Sequence, residues 1–490
     1  MVSNCFNKSK FRFFLLSGCL FFITLISYAQ NVKTNSVPSP VIVPDTSKNS
    51  LLVPVTVLDT GKNGSGESLT LKQCVDYALL HQPALNRSLI NVDITKTTNA
   101  INLSGWLPQA NASGDLIHNI QSQGNGSTVT TGGVNSGGTT TTGVSTRGSS
   151  VNTFVPGITV SQAIFSPSLL YAYKSAPLYV KQAQQVTDST KIFLVSSISK
   201  SFYNVLLTLE QINVLKEDTA RLGKSVRDAY HQYKGGIVDE TDYEEATITL
   251  NNSMAQLKQA NENVVPQYAS LKQLMGYPPE KQFNVSFDTV EMSRDIHIDT
   301  LQQLQYEKRI EFQQNVTDKR LQAELVKYYK SSFLPTVSAF YNYNLAFQNN
   351  QFSNLLNNSY PSSLVGLSLS IPIFTGFARL HNLHKARLQE QLVDWNTVDL
   401  KLEIYKEYTT ALANYKGNYY NLQLLQRNVN MAKRVYFVVT LQYKQGIVPY
   451  LNVITAESNL ISSEISYLNA LFQVLSNKID LQKAMGNISY

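Results

Sequence analysis

The sequence predicts an α+β membrane protein in which long antiparallel coiled-coil helical hairpins and two β-hairpins are arranged as a two-fold internal repeat. Three observations predict it. Two parts of the 490-residue chain carry the same landmarks at a nearly constant offset. Four segments of about 10 residues or more alternate apolar with polar side chains, the period of a strand. Heptad stripes run through stretches with little or no proline, far longer than the average globular helix of about 11–12 residues.

At the start of the chain, Lys8, Lys10 and Arg12 precede the apolar run Phe13 to Ile26 and the small residues around Ala29. Residues 1–29 therefore read as a secretory signal peptide cut before Gln30. Leu16-Ser17-Gly18-Cys19 offers a second reading, a lipoprotein cleavage box, although the apolar stretch before Cys19 is short and continues well past it. Residues 30–68, with Pro38, Pro40, Pro44 and Pro54, read as an extended leader. The signal takes three basic residues with it, so the formal charge of +7 falls to +4. That is no concentrated basic face, and nucleic acid is not an expected partner. Of three cysteines only Cys74 remains, which excludes a disulfide or a thiolate metal cage within one processed chain. Beyond the signal no apolar run approaches the roughly 18 residues of a membrane-spanning helix, leaving a soluble chain or a β-barrel protein.

The repeat is read from paired landmarks. Phe165 pairs with Phe374 at an offset of 209, and Gly236 with Gly446 and Gly276 with Gly486 at 210. Trp106-Leu107-Pro108 pairs with Phe333-Leu334-Pro335 at 227, so the first copy holds about 17 extra residues. They fall in Ser122 to Asn152, a Gly, Ser, Thr and Asn tract too poor in apolar surface to order itself. The first repeat spans 69–276, an equatorial segment 277–299, and the second repeat 300–490.

Strands are expected at about 109–121 and 154–164 in the first repeat and at 335–347 and 363–373 in the second. Val337, Ala339, Tyr341, Tyr343, Leu345 and Phe347 alternate with Thr336, Ser338, Asn342 and Asn344. A pair of hairpins in a soluble sandwich fits the alternation as well. Strand length and the Tyr and Phe content favour a membrane barrel, and because the smallest such barrels use about eight strands, four require several copies of the chain.

Helices follow. Leu194, Ile198, Ser201, Val205, Thr208, Ile212, Leu215, Thr219, Leu222, Val226, Ala229 and Tyr233 keep a strict heptad step within Tyr171 to Lys234. Phe377 to Lys444 contains no proline, and each helix would be on the order of 100 Å long. Returning helices at Asp242 to Met275 and Leu451 to Met485 complete two hairpins, with tips at about 234–242 and 444–452. In the second, Leu451, Ile454, Ser458, Ile461, Ile465, Leu468, Phe472, Leu475 and Ile479 mark the expected seam.

Chemistry is absent from the pattern. There is no phosphate loop, no His-Glu-x-x-His and no Gly-x-Ser-x-Gly, and Gly61-Lys62-Asn63-Gly64-Ser65-Gly66 lies in the leader. Asp239, Glu240, Asp242, Glu244 and Glu245 lack the glycine and spacing of a calcium loop, and acids suit the start of a helix anyway. His381 and His384 share a helix face and read as a solvated pair. No enzyme, no cofactor and no metal site is expected.

Leu69-Thr70-Leu71-Lys72-Gln73-Cys74 through Ala78, Gln82-Pro83, the two Leu-Pro steps, Phe165 and Phe374, and the segments Tyr233 to Ala246 and Tyr443 to Ala456 resemble, in order and spacing, the TolC-like outer-membrane efflux protein family. The resemblance covers the chain from Leu69 onward. It implies a homotrimer with a 12-stranded β-barrel in outer membrane lipid and a periplasmic α-helical tunnel, working with a periplasmic adaptor protein and an inner-membrane transporter in efflux or type I secretion. It also implies a periplasmic gate at Asp242, Tyr443, Asn452 and Thr455. Val448 stands where some members carry an arginine that reinforces the gate. Asn452 and Thr455 stand where some carry aspartates, so divalent-cation block is expected to be weak. Gly236, Ile237, Val238, Gly446, Ile447 and Val448 become the adaptor-docking tips. A secreted structural or adhesive coiled-coil protein is the alternative. If the family reading holds, protease added to intact cells cuts within residues 122–152; a loop protected until the cells are broken overturns its outward orientation.

Overall fold

Leu71–His81 (α1) begins on a capping box: Thr70 Oγ1 accepts from the Gln73 amide at 3.4 Å, and Gln73 Oε1 accepts from the Thr70 amide at 2.8 Å. The computed structural model describes residues 68–119, 152–286, 296, 298 and 302–489. The signal peptide, the leader to residue 67 and nearly all of the Gly/Ser/Thr tract lie outside the described residues. Ser68, placed in the leader by sequence, instead pairs with Leu69 as a short strand (β1) parallel to Asn284–Val285 (β4). Gln82 ends α1, and Pro83–Leu103 (α2) follows with proline in its first turn, where no intrahelical amide is lost.

Two long helices dominate. Pro167–Lys234 (α3) has 68 residues and Ala378–Lys444 (α6) has 67, about 100 Å each. They turn back into Glu240–Met275 (α4) and Tyr450–Ala484 (α7). Ile310–Ser331 (α5) packs between α3 and α6. Eight of the twelve expected α3 seam residues, Leu194, Ile198, Val205, Thr208, Ile212, Leu215, Leu222 and Ala229, are buried, and Ser201, Thr219, Val226 and Tyr233 are half-buried. On α7 the expected stripe is met only in part. Leu475 is buried and Ile454, Phe472 and Ile479 pack on core clusters, but Leu451 and Ser458 are exposed and Ile461, Ile465 and Leu468 half-buried, while Val453, Ala456, Glu457, Leu460, Ala470 and Val474 are also buried. This helix is apolar over much of its circumference and packs on both α6 and α3, so heptad spacing alone admits more than one seam. The expectation of no membrane-length apolar run also needs correction, because an 18-residue stretch of α3 qualifies by length and composition. That helix lies against the core: Leu194, Ile198, Phe202 and Leu206 pack with Leu85, Leu271, Val474 and Leu475.

Four strands form one antiparallel sheet. Gln109–His118 (β2), Asn152–Phe165 (β3), Thr336–Asn349 (β5) and Ser359–Ser370 (β6) lie in the order β2-β3-β5-β6. Their ends differ from the sequence expectation for local reasons. The first strand stops at His118, short of 121, where His118 Nδ1 and Asn152 Oδ1 meet at 2.7 Å and β3 begins. The third starts at Thr336 because Pro335 has no amide to offer the ladder, and runs past 347 to Asn349, which pairs with Asn152. The fourth starts at Ser359 rather than 363, with Pro361 accommodated on an edge strand, and ends at Ser370 ahead of Pro372 rather than at 373. Register places Ala110, Val160, Tyr341 and Val365 in one row, and Leu116, Phe154 and Phe347 in another, on the same apolar face. The opposite face carries Asn111, Thr159 and Asn342.

The sheet and the hairpin tips are held apart by a core between them. Cys74, Ala78, Leu85, Ile198, Leu271, Met275, Val474, Leu481 and Met485 are buried there. Burial pushes the Cys74 thiol up to about 12, so it stays protonated and inert. Gly276 and Gly486 end α4 and follow α7 at φ 66° and 71°. A Cβ would stand 2.9 Å from the His81 carbonyl oxygen at Gly276 and 2.8 Å from the Lys308 carbonyl oxygen at Gly486. Gly276→Ala and Gly486→Ala are each expected to cost about 1–3 kcal/mol and to lower the thermal midpoint, measured by calorimetry; Gly417→Ala, on α6 with open space beside it, serves as the neutral control.

Candidate functional site

Helix ends leave carbonyls without partners, and both hairpin tips solve this in the same way. Gly236 and Gly446 take left-handed conformations at φ 67° and 71°, which a side chain would strain. The Gly236 amide then donates to Tyr233 O at 3.0 Å and the Ile237 amide to Gln232 O at 2.9 Å. At the second tip the Gly446 amide donates to Tyr443 O and the Ile447 amide to Gln442 O, both at 2.9 Å. Each is a Schellman closure that satisfies the last carbonyls with backbone alone. The residue that follows the glycine usually packs on its own helix, yet Ile237 is 76% exposed and Ile447 63% exposed. Val238 and Val448 are half-buried beside them.

The sequence-derived gate residues separate into two groups. Asn452 and Thr455 are exposed on α7, with Thr455 Oγ1 donating to Leu451 O at 2.9 Å. Tyr443 and Asp242 are half-buried. The Tyr443 hydroxyl donates to Gln232 Oε1 at 2.5 Å, joining the end of α6 to the end of α3 within one chain, and its ring packs on Tyr450 at 5.3 Å between centroids. Burial and then the charge of Asp242 push the Tyr443 phenol above its ordinary value. Asp242 thus lies within electrostatic reach, while the hydrogen bond goes to Gln232. Burial, followed by the neighbouring charge of Asp239, raises Asp242 itself. Between the two hairpins a cavity of about 300 Å3 is lined by Ser225, Asp228, Gln232, Tyr436, Tyr443 and Tyr450.

One constellation escaped sequence reasoning. Asp218 and Glu457 are 0% and 1% exposed, and one guanidinium, Arg221, reaches both, at 3.4 Å from Asp218 Oδ1 and 3.5 Å from Glu457 Oε1. Ser253 of α4 donates to Asp218 Oδ2 at 2.6 Å, and Tyr436 of α6 donates to Glu457 Oε1 at 3.5 Å. Asp218 sits one position before the seam residue Thr219, and Glu457 one before Ser458. A charge beside a heptad stripe usually reaches solvent, so spacing gave no sign of burial. The one available signal was the Asp218, Arg221 pair at i,i+3.

Among the described residues no group of three or more His, Cys, Asp or Glu side chains is placed to hold a metal ion. His381 and His384 are both exposed on α6. The arrangement is that of two glycine-closed turns at the ends of long helices.

A family model described as outer membrane efflux protein matches residues 74–277 and 307–487, more than half of the chain. The chain is 19% identical to the outer membrane protein TolC of Vibrio cholerae over 340 residues, which are 68% of this chain and 76% of that protein. The crystal structure of CusC superposes with a TM-score of 0.70 at 17% identity, covering 90% of this chain and 98% of its own. The Campylobacter jejuni CmeC outer membrane channel gives 0.68 at 18% identity, covering 92% and 94%. At these identities the superpositions show a shared fold.

Tyr443→Phe keeps the ring on Tyr450 and deletes the hydroxyl given to Gln232. A loss of about 1 kcal/mol in local stability is expected, read as several-fold faster hydrogen exchange at Gln445 to Val448 with little change in the global melting temperature. Unchanged exchange there removes Tyr443 as the tie.

Proposed function

This chain belongs to the outer membrane efflux protein family, and we propose from that membership that it is the exit duct of a tripartite efflux or type I secretion system. Its place is the outer membrane, with the helical part in the periplasm. It catalyses no reaction in this reading; it gives passage to substrates delivered by an inner-membrane transporter through a periplasmic adaptor protein.

The observation that carries the reading is the sheet. Its apolar face is open, with Val365 77%, Leu367 72% and Leu369 61% exposed, and β2 and β6 each leave an unpaired edge. In hydrocarbon each unsatisfied backbone group costs several kcal/mol, so a membrane-inserted sheet has to close. Four strands are too few, and three copies give the 12 strands of the family's barrel.

A second feature supports the homotrimer. Leu388, Leu392, Trp395, Val398, Leu402 and Tyr405 repeat at heptad steps along α6 and are 48% to 72% exposed. A seam of this kind is made to be covered by another helix, and in a trimer that helix belongs to the next copy. Ile237, Val238, Ile447 and Val448, carried by Gly236 and Gly446, are then the surface offered to the adaptor. Asp242, Tyr443, Asn452 and Thr455 line the gate, where the missing acids leave little to attract divalent cations.

Single-particle images of protein purified from outer membranes in detergent are expected to show a three-fold assembly, and planar bilayers a conductance blocked only weakly by added divalent ions. A monomer or an open fibre that does not conduct rejects the duct in favour of a structural coiled-coil protein. Strong divalent block would leave the duct standing and remove the assignment of Asn452 and Thr455.

A further inference from the structure

We propose that Asp218, Arg221 and Glu457 form a proton-controlled clasp between the two helical hairpins of the chain, closed while Glu457 carries a proton and loosened when both carboxyl groups are ionised. The clasp goes beyond conduction and rests on how α3, α4, α6 and α7 pack within one chain.

Its geometry is unbalanced. Two acids are buried against a single cation, and that cation is shared again with Glu217 at 4.0 Å. Glu457 Oε2 is buried with no hydrogen-bond partner, and Arg221 Nε, at 3.5 Å from Oε1, completes no hydrogen bond either. Among the described residues the further cation nearby, Lys433, is engaged elsewhere. From α3 come Glu217, Asp218 and Arg221; from α4, the Ser253 hydroxyl; from α6, Tyr436 and Lys433; from α7, Glu464 and Tyr450. Lys433 is engaged by Glu464 at 3.1 Å, and the charge of Glu464 adds to the repulsion at Asp218. An unpaired carboxylate charge in such a place is expensive, and a proton on the pair removes the expense.

The pattern of the titrations agrees. Burial first, then the charge of Asp218, lifts Glu457 from 4.5 to about 7, against the lowering effect of Arg221. Burial likewise raises Asp218. Because the closed packing binds the proton more tightly than a hydrated, opened hairpin does, closure is fully stable below pH 4.5. It weakens as the pH rises towards about 7, and is then constant. The ratio of opened to closed hairpins grows by about two orders of magnitude across that window.

The position gives this a consequence for the gate. Asp218 and Arg221 stand about three to four turns before Gln232 on α3, and Glu457 lies about two turns into α7 from Tyr450. A loosened clasp therefore frees the segments that carry the Gln232 to Tyr443 tie.

The test uses the full chain in detergent with spin labels at Ile237→Cys and Ile447→Cys, one on each tip. Cys74 is 0% exposed and takes no label. Pulsed dipolar distances between pH 4.5 and 8 are expected to shift from a short to a long population. Glu457→Gln, neutral at every pH, holds the short population throughout, and Asp218→Asn, which removes the like charge, moves the transition to lower pH. Distances that ignore pH in the parent, a Glu457→Gln variant that opens as the parent does, or an Asp218→Asn variant with an unmoved midpoint each overturn the clasp. The readout needs no current. A channel that conducts with pH-invariant tips defeats this proposal alone, and opening tips in a protein that never conducts defeat the duct alone.

Discussion

Backbone groups in a membrane must find their hydrogen bonds within protein, and a four-stranded sheet with two open edges cannot satisfy that rule by itself. Much of the chain follows from this shortfall. The row from Ala110 through Val160 and Tyr341 to Val365 gives the sheet one apolar face, and the edges β2 and β6 make further copies of the chain necessary wherever that face meets lipid. The exposed stripe from Leu388 to Tyr405 has the same logic in helical form, an apolar seam waiting for a neighbour.

Between sheet and tips the structure works as a strut. Struts of 68 and 67 residues gain little from helix propensity alone and are stabilised along their length by packed seams. The core around Cys74, Ile198, Leu271 and Leu481 anchors their middle, and Gly276 and Gly486 let the ends of α4 and α7 approach neighbouring backbone closely. Toward the far ends a small apolar cluster of Ala229, Ala246, Tyr450 and Val453 stands beside a cavity, a tyrosine to glutamine tie and a buried charge cluster. Apolar packing is thus interleaved with polar contacts where the proposed gate lies.

Legibility followed the strength of the local signal. On α3 the heptad step gave eight of twelve expected positions as buried, but not the burial of Phe202, Tyr203 and Leu206 beside them. On α7 it gave fewer, because that helix is apolar on several sides and only its neighbours decide which side is buried. Strand existence was legible from alternation, but strand ends were decided by Pro335, Pro361 and Pro372 and by the His118 to Asn152 contact, which a period of two does not contain. Tyr443 was named beside Asp242 from the family resemblance alone, and its hydrogen bond to Gln232 within the chain was not legible, since the two are joined across 211 positions. Asp218 and Glu457 were invisible for a related reason: burial of a charge is a property of four helices at once, and no single helix records it.

The Schellman closures at the tips leave a further consequence. Because backbone amides at Gly236, Ile237, Gly446 and Ile447 satisfy the helix ends, the side chains of Ile237, Val238, Ile447 and Val448 are not needed to hold the turn. Structure asks for the glycine, so the exposed positions Ile237 and Ile447 can drift in sequence at little folding penalty. If the proposed docking holds, the tips are where one scaffold can exchange one set of assembly partners for another.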